Sequence, residues 1–167
     1  MTRAAGAFLA FERRLTQASL LLACVLLAVV CVLGLWQVVA RFVLSQPSTW
    51  TEEAMRRLLI WSVMFGVVAA VRRGALVSVD LMLRLSRGRW RSLVRGIIAT
   101  STIAFLSVLL WHGVDLVWRV RFQTFASLDA ISMSWGYAAI PVGAALSMVA
   151  MIGQVLDPLD EELENAT

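Results

Sequence analysis

Apolar residues in this chain come in long blocks, not in the stripe of a surface helix that recurs every ~3.6 residues. Residues 15–40 are uncharged throughout. As a helix they rise ~39 Å at ~1.5 Å per residue, enough to cross a ~30 Å hydrocarbon layer with tilt. The block is too long for the core of a cleaved signal peptide, and no A-x-A-like site follows it, so it reads as a retained helix. Three further blocks complete the pattern. The expected spans are 15–40, 54–73, 96–118 and 134–156, in one membrane domain over residues 1–167. The fold class is therefore an all-α integral membrane protein of four transmembrane helices. Short amphipathic interfacial helices are expected over residues 1–14, where Phe8, Leu9 and Phe11 sit among Arg3, Arg13 and Arg14, and over residues 78–95.

The second block is organised around its charges. Its uncharged centre, residues 58–71, rises only ~21 Å as a helix, short of the hydrocarbon thickness. Glu52, Glu53, Arg56 and Arg57 precede it, and Arg72 and Arg73 follow. Such charges must reach the headgroups or lie against protein, and they mark this stretch as functional. Glu52 to Arg56 and Glu53 to Arg57 are i,i+4 pairs in the favourable order, each worth ~0.2–0.5 kcal/mol. Thr49-x-x-Glu52 has capping-box spacing after Pro47 and Ser48, which predicts a helix from about Trp50, and Gly74 is its stop. Between the second and third spans, Arg84, Arg87, Arg91 and Arg95 fall three or four residues apart. On a helix they share a face above the headgroups, where each is worth ~1 kcal/mol beside anionic phospholipid; the same arginines also set topology.

Arginine counts give an orientation. Ten lie before the first span or between the second and third, and five in the other two loops. The positive-inside rule then places both termini in the cytoplasm and the Trp50–Glu53 segment outside. Asp115 and Arg119 form an i,i+4 pair at the end of the third span, with Trp111, Trp118, Phe122 and Phe125 as an interfacial aromatic belt. Residues 157–164 read as a solvated acidic tail. In the last span Pro141 interrupts the helix, and Ala139, Gly143 and Ser147 form a small-residue ridge that admits a neighbouring helix; Gly66 and Ala70 form a weaker one.

Composition removes several functions. A mean hydropathy of +0.80 with 60% apolar residues excludes a soluble domain. The sequence pI near 10.4 comes from arginines between apolar spans, without a basic-aromatic platform, so no nucleic-acid partner is expected. His112 is the single histidine, and Cys24 and Cys31 lie inside the first apolar block. No metal site, cofactor or catalytic motif is expected. A stand-alone homodimeric exporter would want an acid inside the first span, and a redox protein would want paired histidines or exposed cysteines.

The chain resembles a family on specific residues. These are Gln37-Val38 and Arg41-Phe42 closing the first span, Trp50-x-Glu52-Glu53, Trp61 in the second span, and Arg72-Arg73-Gly74 followed by Val79-Asp80. Trp135, Tyr137 and Ile140-Pro141-Val142-Gly143 add a weaker echo in the fourth. Their order and spacing resemble the small membrane subunit of tripartite ATP-independent periplasmic (TRAP) transporters, the DctQ-like proteins. The resemblance implies a non-enzymatic brace for a large membrane subunit that takes up an organic anion with sodium, fed by a periplasmic substrate-binding protein. It implies that the span-end charges and small residues named above, from Arg41 to Gly143, hold the fold, the lipid interface or the subunit contact, and that none of them binds substrate.

Overall fold

A computed structural model describes residues 3–45, 49–74, 89–123 and 132–157. Five helices account for nearly all of them: α1 (Arg3–Phe42), α2 (Thr49–Arg72), α3 (Arg89–Val120), α4 (Met133–Tyr137) and α5 (Ala139–Leu156). Four stretches are long and apolar enough to cross a membrane, the last made of α4 and α5 together.

Two boundaries differ from expectation, each for a local reason. Residues 3–14 are not a separate interfacial helix but the first turns of a 40-residue α1. No proline or capping pattern interrupts that segment before the apolar block. Residues 89–95 likewise open α3 instead of ending an interfacial segment, whose remainder lies outside the described residues. The fourth span is interrupted, as expected, beside Pro141. Ser132 caps α4 by accepting a bond from the Ser134 amide, and Ala138, between α4 and α5, keeps helical dihedrals, its amide donating to the Ser134 carbonyl and its carbonyl accepting from Val142. Pro141 has no N–H to donate to the Tyr137 carbonyl one turn back, and that missing bond separates α4 from α5.

The spans lie in an open row. α1 packs on α2, α2 on α5, and α5 on α3, and α3 lies chiefly against α4 and α5, with Ala99 reaching the core that α2 and α5 share. The last span is thus the centre: 39% of it is buried against the chain, compared with 6% of the α3 span. Small residues permit this. Ala139, Ala144, Ser147 and Ala150 are fully buried, and Val68, Val71, Ala150 and Met151 form the apolar core between α2 and α5. A Cβ on Gly143 would come within 2.7 Å of Met64 Cβ, so α2 and α5 approach as closely as they do because position 143 has none. On the other side of α5, Gly113 of α3 gives the same room to Ile140 and Pro141, with a built Cβ 3.1 Å from each. The ridge around Pro141 and Gly143 is therefore filled from within the chain.

Candidate functional site

The α1–α2 pair sets the two polar ends of the row. Gly34 faces Met55, the Ser62 hydroxyl donates to the Ala23 carbonyl at 2.9 Å, and Arg72 meets Glu12. These contacts run antiparallel down the two helices. They bring the start of α1 and the end of α2 to one rim, where α5 also ends.

At that rim a polar cluster is closed around Arg72. Its Nε donates to Glu12 Oε2 at 2.8 Å; the two side chains are 2% and 0% exposed. Its Nη1 donates to Gln154 Oε1 at 2.9 Å and to the Asp157 carbonyl at 2.8 Å, and its Nη2 reaches Asp157 Oδ2 at 3.5 Å. The other Glu12 oxygen accepts from the Thr16 hydroxyl at 2.8 Å. Arg13 adds a 2.7 Å ion pair to Asp157. Gly153 lets the carboxylate in: a Cβ there would lie 2.7 Å from Glu12 Cδ. A buried pair is tolerated only when its remaining donors and acceptors are also satisfied, and here α1, α2 and α5 each supply partners. The Arg13 guanidinium bonded to Asp157 outweighs partial burial and, with Arg72, holds the Asp157 carboxyl below its ordinary range. Asp157 thus departs from the expected solvated tail, because two arginines receive it.

At the opposite rim, α2 is fixed to α4. Trp61 Nε1 donates to the Trp135 carbonyl at 3.2 Å, and the two rings meet tilted at 44°, 5.7 Å between centroids. The Arg57 side chain crosses Gly136 so closely that a Cβ there would lie 2.5 Å from Arg57 Cδ. Glu52 and Arg56 form the expected i,i+4 pair at 2.9 Å, well exposed. Glu53 behaves differently. Its Oε2 is buried and accepts no hydrogen bond among the described residues, so the Glu53–Arg57 pairing drawn from spacing is not formed.

The remaining candidates are spread over the surface. Arg41 and Arg73 are exposed, as is Trp50 at 47%, and Arg91 lies in the first turn of α3. Asp80, Arg84 and Arg87 lie outside the described residues. Asp115 and Arg119 pair at 2.8 Å as expected, and Arg121 lies over the Trp118 and Phe122 rings at 3.9 and 4.4 Å. Trp111, Trp118 and Phe122 point outward, and Cys24 and Cys31 are exposed free thiols. The structure therefore gathers Arg72 with Glu12, Gln154 and Asp157, three residues that sequence reasoning passed over as partners. Glu12 carried the one available signal, an acid among arginines at the mouth of a long apolar block.

The chain is 28% identical over 116 residues to the sialic acid TRAP transporter permease protein SiaT of Haemophilus influenzae (strain 86-028NP), covering 70% of this chain and 19% of that protein. The chain therefore spans about a fifth of that relative's length. It is 24% identical over 123 residues to the sialic acid TRAP transporter small permease protein SiaQ of Vibrio cholerae, covering 73% of this chain and 70% of that protein. A shorter likeness, 33% over 52 residues, is to a halorhodopsin of Haloterrigena and covers 18% of it. Residues 30–161 match the family described as "Tripartite ATP-independent periplasmic transporters, DctQ component". On that match the chain belongs to the DctQ family of TRAP transporter small permease components.

Proposed function

We propose that this chain is a non-transporting brace, lodged in the bacterial inner membrane with both termini cytoplasmic, for a large TRAP membrane subunit. That subunit performs sodium-coupled uptake of an organic anion delivered by a periplasmic substrate-binding protein. The observation that carries this reading is the open row: α1 and α3 keep most of their apolar perimeter uncovered, including Leu21, Val32, Leu35, Phe105 and Val108, each more than half exposed. Apolar surface of that extent is covered by lipid or by another membrane protein. A single row of helices does not surround a path, and the buried Arg72–Glu12 pair is saturated by internal partners. Similarity to a small permease and to about a fifth of a larger one supports membership in a larger permease assembly.

On this reading the residues divide by role. Arg72 holds the fold. Arg41, Trp50, Glu52, Glu53, Arg56, Arg73, Asp80, Arg84, Arg87 and Arg91 meet lipid headgroups or the large subunit. Arg57, Trp61, Pro141 and Gly143 shape the surface from beneath. The sialic acid in the relatives' names belongs to those proteins; for this chain the cargo class is an organic anion. Co-expression with the large subunit gives the test. A stable complex is expected, with uptake that requires both subunits, and vesicles holding this chain alone should move no solute. Solute flux through such vesicles would refute the proposal and favour a homodimeric exporter.

A further inference from the structure

A pocket of about 260 Å³ opens between α1 and α2 on the rim that carries the Arg72 cluster. Arg13, Gln17 and Arg73 line it together with Leu20 and Ala69. We propose that it holds the phosphate of an anionic phospholipid, with the acyl chains leaving along the two helices.

Three features point there. The first is charge. Arg72 is matched by buried Glu12 and Arg13 by Asp157, whereas exposed Arg73 has no ion pair or hydrogen bond from its side chain among the described residues. Among the described residues the pocket therefore keeps an uncompensated positive charge, and the Gln17 amide beside it makes no hydrogen bond. The second is depth. Leu20 lies about two turns beyond Arg13 on α1, and Ala69 about one turn before Arg73 on α2, so the charges stand over an apolar wall. Gly66, three residues before Ala69 on α2, also has room beside it, since a Cβ there would meet nothing within 4 Å. The third is size. The volume is below the ~300–1,000 Å³ that encloses a drug-sized ligand, and suits a headgroup fragment whose chains remain outside. Both walls belong to helices that read as spans, which places the pocket where a headgroup meets hydrocarbon.

The test uses the full chain in neutral detergent and follows its unfolding midpoint against added short-chain phosphatidylglycerol, phosphatidylcholine of equal chain length, or inorganic phosphate. Phosphatidylglycerol should raise the midpoint saturably, and the other two should not. Arg73→Gln should raise the half-saturating concentration about five-fold, the expected worth of one cation at an anionic headgroup. Arg14→Gln, an exposed arginine outside the pocket, should leave it unchanged. Equal effects of the two lipids, or of inorganic phosphate alone, would overturn the proposal, as would equal weakening by the two variants. If phosphatidylglycerol acts only after residues 158–167 are removed, the occupant is the chain's own acidic tail and the lipid assignment fails.

Discussion

Replacing Arg72 with methionine isolates the electrostatics of the buried cluster. Methionine retains an unbranched apolar stem, so what is lost is chiefly the guanidinium and its four hydrogen bonds to Glu12, Gln154 and Asp157. Glu12, fully buried, keeps only the Thr16 hydroxyl. Breaking a buried pair from one side costs ~3–5 kcal/mol, because the surviving charge is left uncompensated. That is a large part of the ~5–15 kcal/mol by which proteins are stable. Adding Glu12→Gln removes the stranded charge, and the neutral amide, nearly the same shape as the carboxylate, fits the same space beside Gly153. The double variant should therefore be more stable than Arg72→Met alone, although it carries one more substitution. Reversible unfolding in mixed micelles, followed by far-ultraviolet circular dichroism, measures all corners of the cycle. A cost below ~1 kcal/mol for Arg72→Met, or a double variant as unstable as the sum of its singles, would refute a buried, mutually compensated pair.

Other perturbations test other contacts. Gly143→Leu should separate α2 from α5 and cost ~1–3 kcal/mol by the same assay, whereas Gly96→Leu, where a Cβ meets nothing within 4 Å, should stay within ~0.5 kcal/mol. Trp61→Phe keeps a ring but loses the donor to the Trp135 carbonyl, and should lower stability by ~0.5–1.5 kcal/mol. For Asp157 the folded-state pKa is depressed, so the unfolded state binds the proton more readily. Its stabilisation is complete above the unfolded value of ~3.9 and is lost as pH falls through the lower folded value. The difference in unfolding midpoint between the parent and Asp157→Asn should be constant at neutral pH and shrink only in acid; a difference that already fades between about pH 7 and pH 5 would contradict the assignment.

What was legible in the sequence was what repeats locally. Long apolar blocks pointed to the four helices that are long and apolar enough to cross a membrane, and i,i+4 spacing found Glu52–Arg56 and Asp115–Arg119. The same spacing failed at Glu53, because the Arg57 stem is drawn across Gly136 and tertiary packing outweighs a pair worth a few tenths of a kcal/mol. The Arg72 cluster had no local pattern at all. Its partners lie 60 to 85 positions away, and only the order of the helices brings them together. The break between α4 and α5 was legible, because Pro141 has no N–H for the Tyr137 carbonyl one turn back.

The position of α5 bears on how the chain assembles. Helices leave the ribosome in order, yet the one that joins the others follows all three of the earlier spans. Until its residues are made, α1 and α2 can form a hairpin, but α3 has little to hold it, since its described helix contacts are chiefly with α4 and α5. Gln154 and Asp157, which complete the shell around Arg72, arrive later still. A nascent chain halted before α5 should therefore carry a tethered, wandering third helix, and quality-control proteases would meet it in that state.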